Sequence, residues 1–513
     1  MNYMENLKVL EKIKDACEKF SGRNSFFIKD TFYTYNDFAR VVSNIRSFLE
    51  LKYKGTEKLA GFLIYDDLET YSSVFGILYA GMGYVPINPE NPIERNISII
   101  KQAGLNIIFT SSENDELKFY TQSAGISLIN IKELEEAKIN LSVNKIDEEE
   151  TAYILFTSGS TGVPKGVPLS RKNLYSFVDA FFKLGYKIDE NDRFLQMFDM
   201  TFDLSIMSYV IPLCIGACVY TVPAGGIKYT IVYSLLEEQK ITFALMVPSM
   251  LTYLRPYFSE IKLDEMKYSL FCGEALYSDI VNEWSSCVPN ALLQNVYGPT
   301  EATIFCSTYT IPRNTSGVKN FNGSVSIGKA MLNMVLAVFD ENNQLVKSGE
   351  KGELCLAGKQ LTSGYINNPG KNKEAFFTYS SGGNDTRFYR TGDLAFIDTE
   401  GDFLYCGRID FQIKIQGFRV ELGEIEQHVR QFTNSSNVAA LAHEKNPGVV
   451  QIHLFVENYN DDTNKILENL KTKVPSYMIP SGISSIPFFP LNVNGKVDRK
   501  ALLNMLNHPG GKK

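Results

Sequence analysis

Short apolar segments alternate with longer amphipathic ones from about residue 20 to about residue 310. Unbroken apolar runs of five to eight residues predict buried β-strands, and apolar residues spaced three or four apart predict helices with one buried face. Alternation of the two predicts an α/β fold. The clearest predicted strands are KLAGFLIY (58–65), AYILF (152–156) and ITFALMV (241–247).

One helix is predicted between Ser170, which can cap its first turn, and Gly185, which can end it. Its apolar residues fall on one face and comprise Leu174, Phe177, Val178, Phe181 and Phe182. The most apolar stretch of the chain, YVIPLCIGACVYTVPAGG (209–226), is interrupted by two prolines and several glycines. It predicts buried strands and turns and no insertion into a membrane.

Shorter strands are predicted beyond about residue 320, in GELCLAG (352–358), DLAFIDTEGDFLYCGR (393–408) and FQIKIQGFRVE (411–421). After Asp410 the predicted order is strand, helix (423–432), two strands (437–445 and 449–457) and helix (464–474). This order is typical of a small α+β unit of roughly 100 residues. We therefore predict a large domain over 1–409 and a small one over 410–513.

Composition and charge narrow the class of protein. A chain of 513 residues is too long for one ordinary core. The net charge of −7 argues against nucleic acid or an anionic membrane as the main partner. The first twenty residues mix both charge signs, which does not fit a signal peptide. The eight cysteines form no Cys-x-x-Cys pair, as expected of buried thiols in a cytoplasmic protein.

Histidine is confined to the end of the chain, at His428, His443, His453 and His508. The first 427 residues therefore cannot supply a Ser-His-Asp triad or a histidine-ligated zinc site. Chemistry in this region must use lysine, carboxylates, hydroxyl groups and the backbone.

A loop rich in glycine, serine and threonine, TSGSTGVPKG (157–166), follows the predicted strand 152–156. Its hydroxyl groups and Lys165 can donate hydrogen bonds to phosphate oxygens, and its glycines let the backbone approach closely. A flexible surface loop is the alternative, but the preceding strand and the Lys-Gly pair favour phosphate binding. The loop is not the usual P-loop, because the spacing of Gly, four residues and Gly-Lys-Ser/Thr is absent.

Four further segments follow this loop in order: NVYGPTEAT (295–303), YRTGDLA (389–395), GRIDFQIKIQGFRVELGEIE (407–426) and NGKVDRKAL (494–502). With all five, nearly the whole chain resembles the adenylate-forming enzymes, which include acyl-CoA synthetases, luciferases and amino-acid adenylation domains. It is particularly similar to stand-alone amino-acid adenylating enzymes, such as D-alanine–carrier protein ligases, and to the adenylation domains of nonribosomal peptide synthetases.

The resemblance implies a large N-terminal adenylation domain and a small, mobile C-terminal lid. It also implies two half-reactions. A carboxylate attacks the α-phosphate of ATP, giving acyl-AMP and pyrophosphate, and a thiol then takes the acyl group. The lid is expected to swing between the two half-reactions about a hinge at Asp410.

The resemblance also assigns residues to ATP and Mg²⁺. The β- and γ-phosphates are assigned to Thr157, Ser158, Gly159, Ser160, Thr161 and Lys165. Adenine and ribose are assigned to Asn295, Val296, Tyr297, Gly298, Asp393, Tyr405 and Arg408. Thr300 is implied as a phosphate contact, Glu301 as the Mg²⁺ ligand and Lys496 as the catalytic cation, which bridges the substrate carboxylate and the α-phosphate.

The segment FDLSIM (202–207) resembles the start of the substrate pocket in amino-acid-specific members. Asp203 falls where those members pair a carboxylate with the substrate's α-ammonium; pairing with an internal donor is the alternative. The other substrate positions are Leu204, Met207, Leu245, Leu270, Cys272, Val296, Ile304 and Phe305, together with Lys496. Since the lining is otherwise uncharged and includes bulky residues, we expect a small neutral amino acid, glycine- or alanine-like and possibly D-alanine.

The acyl acceptor is expected to be the phosphopantetheine thiol of a separate carrier protein, because the chain ends about ten residues after DRKALL (498–503). Coenzyme A is the rival acceptor. An acyl- or aryl-CoA ligase is the second hypothesis, and Asp203 counts against it. The third is a nucleotide-binding regulator without activity. The presence of Lys496, Glu301 and Asp393 counts against that hypothesis.

Overall fold

The computed structural model describes residues 8–144, 146–159, 162–313, 317–410, 412–433, 437–446, 449–491 and 497–507. The chain divides into two compact units. The first comprises the chain up to Asn88, Ile100–Phe156 and Gly166–Ile409. The second comprises Pro89–Ile99, Thr157–Lys165 and the chain from Asp410 onward.

Strands and helices alternate, with some consecutive strands, over residues 24–297, which covers most of the predicted range from about residue 20 to about residue 310. The strands before residue 409 are β1 (Asn24–Ile28), β2 (Thr31–Thr34), β3 (Leu59–Leu63), β4 (Gly83–Ile87), β5 (Ile107–Thr110), β6 (Ser127–Asn130), β7 (Thr151–Thr157), β8 (Lys165–Ser170), β9 (Arg193–Gln196), β10 (Cys218–Thr221), β11 (Phe243–Met246), β12 (Tyr268–Phe271), β13 (Leu292–Tyr297), β14 (Ser307–Ile311), β15 (Asn320–Phe321), β16 (Ser324–Val325), β17 (Lys329–Ala330), β18 (Met334–Phe339), β19 (Gly352–Gly358), β20 (Phe376–Ser381), β21 (Asn384–Ile397) and β22 (Phe403–Arg408). The helices over the same range are α1 (Val9–Lys19), α2 (Tyr35–Leu51), α3 (Leu68–Tyr79), α4 (Ile93–Ala103), α5 (Asp115–Ala124), α6 (Arg171–Phe182), α7 (Asp203–Ile215), α8 (Lys228–Glu238), α9 (Pro248–Leu254), α10 (Ser278–Cys287) and α11 (Pro369–Ala375).

The largest sheet has, among the described residues, nine strands in the order β17-β14-β13-β12-β11-β9-β10-β1-β2. The strands from β13 to β1 pair in parallel, and β2, β14 and β17 pair antiparallel at the edges. A second sheet has the order β6-β5-β3-β4-β7-β8. A third sheet is antiparallel and has the order β18-β19-β21-β20, with β22 also paired to β21. Strands buried on both faces explain the unbroken apolar runs, and the predicted α/β fold is confirmed.

The prediction of strands and turns for 209–226 is wrong in its first part. Tyr209 to Ile215 belong to helix α7, which contains Pro212, and only Cys218–Thr221 form a strand. Almost every side chain of α7 is buried, so the helix has no exposed polar face and leaves no three-to-four periodicity to read. Within the described part of the chain, no helix is long and apolar enough to cross a membrane.

Helix α6 begins where the sequence predicts. The Ser170 hydroxyl accepts a hydrogen bond from the Asn173 N–H, which caps the first turn. The helix ends at Phe182 rather than at Gly185, which has a left-handed φ of 84° three residues later.

The second unit contains the predicted order of strand, helix, two strands and helix, except that the segment predicted as the first strand forms an antiparallel pair of strands. Its strands are β23 (Gln412–Ile415), β24 (Phe418–Glu421), β25 (Val438–Asn446), β26 (Val449–Glu457) and β27 (Gly482–Ile486). Its helices after residue 410 are α12 (Leu422–Thr433), α13 (Asn464–Lys471) and α14 (Arg499–Asn507). Strand β27, parallel to β26, and helix α14 were not predicted. The large N-terminal and smaller C-terminal parts agree with the fold that the resemblance implies.

Candidate active site

Four predicted pocket residues lie at the carboxyl ends of adjacent parallel strands. Leu245 on β11 and Leu270 on β12 are direct partners, so their side chains point to the same side of the sheet. Cys272 follows two residues after Leu270, and Val296 two residues after Gln294, the partner of Leu270 on β13. Residues two apart share a face, and ligands of parallel sheets bind beyond the carboxyl ends of the strands. The structure therefore brings these pocket residues together.

Asp203 is the first residue of helix α7, and its side chain is buried, with 6% of the residue exposed. The partial positive charge of a helix N-terminus stabilises a carboxylate there. Met207 lies one turn later on the same face of the helix. The remaining predicted lining residues, Leu204, Ile304 and Phe305, are also buried.

The turn that follows β13 requires a glycine. The Cys306 N–H donates to the Tyr297 carbonyl at 2.7 Å, which closes the chain back on itself. A Cβ at Gly298 would lie 2.4 Å from the Phe305 Cα, so no larger residue fits without moving the backbone. The Phe305 ring meets the Phe177 ring of α6 edge-on, with 5.0 Å between centroids. Phe305 thus has a core contact in addition to its predicted pocket position.

Three residues assigned to adenine and ribose form one hydrogen-bonded group. The Tyr297 hydroxyl donates to Asp393 Oδ2 at 2.5 Å, and Arg408 donates to Asp393 Oδ1 at 2.8 Å. Asp393 and Arg408 are partners across β21 and β22, and Tyr405 lies three residues before Arg408. Burial and the Asp393 carboxylate raise the pKa of Tyr297 well above its usual value, so its hydroxyl keeps the proton that it donates.

The other residues of NVYGPTEAT are also held by contacts distant in sequence. The Asn295 side-chain amide donates to the carbonyls of Val325 and Ser326, so this amide fastens β13 to the chain at β16. The Glu301 side chain is fully buried, and one of its oxygens accepts a hydrogen bond from the Tyr365 hydroxyl at 2.6 Å. Sequence reasoning did not find Tyr365, because it lies 64 residues from Glu301 and in none of the five motif segments.

The loop between β7 and β8 belongs to the second unit, and its donors bind carboxylate oxygens there. The Lys165 ammonium is 3.1 Å from Glu421 Oε1, and the Gly159 N–H donates to Glu424 Oε2 at 3.1 Å. The Ser158 hydroxyl donates to the Arg419 carbonyl at 2.7 Å. Two carboxylates of the protein thus occupy donors that the resemblance assigns to phosphate.

The loop's acidic partners are themselves paired. Glu424 is fully buried, and its Oε1 accepts from Arg95 of α4 at 2.8 Å. Glu421 and Glu424 lie in VELGEIE, which is part of one of the motif segments. No role was predicted for these two carboxylates from the sequence. The predicted residues Ser160, Thr161 and Lys496 lie outside the described residues.

Residues 13–366 match the family described as AMP-binding enzyme. The chain belongs to this family. This chain is 32% identical to zwittermicin A synthase ZmaJ of Bacillus cereus, over 93% of this chain and 90% of that protein. It is 31% identical to a D-alanine–D-alanyl carrier protein ligase of Bacillus velezensis, over 97% of this chain and 99% of that protein.

Solved structures support the same family. The adenylation domain AlmE of Vibrio cholerae, in complex with glycyl-adenosine-5'-phosphate, superimposes on the AMP-binding enzyme with a TM-score of 0.86. The two are 26% identical, and the match covers 98% of each chain. The predicted membership of the adenylate-forming enzymes is confirmed, and the protein is an adenylating ligase.

Proposed function

We propose that this ligase activates a small neutral amino acid, such as glycine or alanine of either hand, as its aminoacyl adenylate. It then transfers the aminoacyl group to the phosphopantetheine thiol of a separate carrier protein. The relatives support both steps, since one is a D-alanyl carrier protein ligase and another was solved with glycyl-adenosine-5'-phosphate.

The observation that carries the proposal is the position of Asp203. Its carboxylate is buried at the start of α7, and apart from Lys496 the other predicted substrate residues carry no charge. The α-ammonium of an amino acid would pair with this carboxylate, because a buried ion pair needs opposite charges in contact. The uncharged lining would accept an apolar or absent side chain.

ATP would bind with its ribose hydroxyls at Asp393 and its adenine at Tyr297. Glu301 would hold Mg²⁺ through a carboxylate oxygen, with Thr300 beside it. Among the described residues, no group of three or more histidine, cysteine or acidic side chains is placed to hold a metal ion. Mg²⁺ typically binds one or two carboxylates and completes its shell with phosphate oxygens and water. When bound, the ion would neutralise charge on the phosphates.

The β- and γ-phosphates would take the donors of the loop at Gly159 and Lys165 in place of the carboxylates of Glu421 and Glu424. Because pyrophosphate is the leaving group, these donors would stabilise the charge that develops on it. Lys496 would bridge the attacking carboxylate and the α-phosphate, where negative charge also accumulates.

Amino-acid-dependent exchange of labelled pyrophosphate into ATP tests the proposal. The panel contains all proteinogenic amino acids, D-alanine, acetate, propionate and benzoate. Exchange restricted to small neutral amino acids is the expected result. A preference for a plain fatty or aryl acid, with turnover on coenzyme A, would establish the acyl- or aryl-CoA ligase alternative instead. Mass spectrometry of phosphopantetheinylated carrier proteins then identifies the acceptor.

Phe305→Ala should shift the side-chain preference. Excess volume in a packed site costs about 1–3 kcal/mol, so wild type is expected to prefer glycine or alanine to leucine or phenylalanine by more than about tenfold in kcat/KM. Removing the ring should favour larger apolar side chains without creating activity on charged ones. Exchange measured over an apolar series of rising size checks this.

The contact with Phe177 makes a fall in Tm expected for Phe305→Ala in either case. The control is Phe181→Ala, which empties a fully buried site on the same helix as Phe177. This control should lose stability with its side-chain preference unchanged. An unchanged preference in Phe305→Ala as well would show that Phe305 serves only the core.

Asp410→Pro should separate the half-reactions. We propose Asp410 as the hinge between residues 1–409 and the lid over 410–513. Proline fixes φ and would stiffen this point, so adenylation should persist while transfer to the carrier slows. Single-turnover rates of each half-reaction are the measurement. Asp410→Ala, which keeps the backbone free, is the control, and wild-type rates in both steps of the proline variant would remove Asp410 from this role.

A further inference from the structure

The residue Glu301 is held at two points by a segment that lies far along the chain. The Tyr365 hydroxyl donates a hydrogen bond to Glu301 Oε1 at 2.6 Å, and both residues are buried. The Glu301 carbonyl accepts a second hydrogen bond from the Thr362 N–H at 2.8 Å. One contact fixes the backbone at Glu301, and the other reaches the carboxylate itself.

The backbone of Tyr365 is clamped by the side chain of Asn372 on α11. The Tyr365 N–H donates to Asn372 Oδ1 at 2.6 Å, and Asn372 Nδ2 donates to the Tyr365 carbonyl at 2.9 Å. The approach is close, because a Cβ at Gly364 would lie 2.7 Å from Asn372 Oδ1 and Gly364 has a φ of 139°. The main chain that carries the phenol is therefore held in one place.

Aromatic neighbours fix the ring of Tyr365 as well. Its centroid lies 6.2 Å from that of Phe376, which in turn lies 5.3 Å from that of Tyr389 on β21. The Tyr389 hydroxyl is 3.4 Å from the Tyr365 hydroxyl. All three rings are buried, and side chains packed in a protein interior sit in defined rotamers. The donor oxygen of Tyr365 consequently stays beside the carboxylate of Glu301.

We propose that Tyr365 is a positioning residue that orients the carboxylate of Glu301 for Mg²⁺. The inference rests on the proposed function, in which Glu301 holds this ion beside the phosphates of ATP. The last torsion of a glutamate side chain has broad preferences, so packing of its carbon atoms alone does not fix the direction of its oxygens. The hydrogen bond from Tyr365 supplies that direction, and Mg²⁺ demands near-ideal geometry of its ligands.

Tyr365→Phe tests the inference, because it removes the hydroxyl and keeps the ring. Losing a group that orients a metal ligand typically costs about 10–100-fold in metal affinity, so the Mg²⁺ concentration at half-maximal pyrophosphate exchange should rise by about that factor. The KM for glycine or alanine at saturating Mg²⁺ should stay at the wild-type value. Binding of Mn²⁺ in the presence of α,β-methylene ATP, measured by electron paramagnetic resonance without turnover, should weaken by the same factor.

Tyr79→Phe is the matched control for a purely structural hydroxyl. Tyr79 is also buried, and its hydroxyl donates a hydrogen bond to the Leu10 carbonyl at 2.7 Å. The Tm of this control should fall, while its Mg²⁺ and Mn²⁺ constants stay at the wild-type values. The same pattern in Tyr365→Phe, a lower Tm with unchanged metal constants, would show that its hydroxyl serves only the fold and would overturn the inference.

Glu301→Gln separates the inference from the proposed function on which it rests. This variant should weaken Mn²⁺ binding, and adding Tyr365→Phe should weaken it no further, because Tyr365 acts through the carboxylate. A further loss in the double variant would contradict that route. Weaker binding in Glu301→Gln beside wild-type binding in Tyr365→Phe would refute the inference alone. Wild-type binding in Glu301→Gln would remove the metal role of Glu301 from the proposed function, and the inference with it.

Discussion

Asp203→Ala should abolish amino-acid-dependent pyrophosphate exchange. The variant would leave the substrate ammonium buried without its carboxylate, and breaking a buried charge pair typically costs about 3–5 kcal/mol. That corresponds to a loss of about 10²–10⁴-fold in kcat/KM. Propionate, a poor substrate of wild type, should be less disfavoured relative to alanine in the variant. Kinetics with alanine and propionate side by side check both effects.

Asp192→Ala is the matched control for this experiment. Asp192 is buried like Asp203, and its carboxylate pairs with the Lys267 ammonium at 2.8 Å and accepts a hydrogen bond from Thr242. Losing it should lower the Tm and leave the ratio of alanine to propionate activity unchanged. Wild-type exchange in Asp203→Ala would mean that Asp203 does not bind the amine.

Lys496→Ala should reduce adenylate formation by at least about 10²–10³-fold, the loss expected for one donor to developing charge in the transition state. The effect should fall mainly on kcat, since the proposed role belongs to the closed state of the lid. Supplied with preformed aminoacyl-AMP, the variant should still make the thioester. Rapid-quench measurement of each half-reaction provides the comparison.

The control for Lys496→Ala is Lys500→Ala, which removes an exposed lysine of α14 only four residues away. It should keep both half-reactions at wild-type rates. Equal losses in adenylation and transfer for Lys496→Ala would contradict a lid that alternates between two states.

Local sequence predicted the features that depend on neighbouring residues. The apolar runs at β3, β7 and β11 are strands, and the Ser170 cap marks the first residue of α6. Helix α7 escaped prediction because a helix buried on every side has no polar face to set its period. Pro212 and Gly216 suggested turns, although Gly216 is in fact the left-handed residue that ends this helix.

The sequence identified the types of residue in the candidate site but not the contacts between them. The motif around Tyr297 suggested a ring for adenine, while its hydrogen bond to Asp393 spans 96 residues of sequence. The partners of Gly159 and Lys165 lie more than 250 residues further along the chain. Such pairings follow from sheet order and chain path, for which a single sequence carries no signal.

A loop whose donors already hold Glu421 and Glu424 must release both carboxylates before it can receive a triphosphate. If ATP binds there as proposed, its apparent dissociation constant equals the intrinsic constant divided by the fraction of molecules whose donors are free. Were about one molecule in ten free, ATP would bind about tenfold more weakly than to an unobstructed loop. The two glutamates then act as an intramolecular competitor of the nucleotide, at an effective concentration set by the chain and not by the solution.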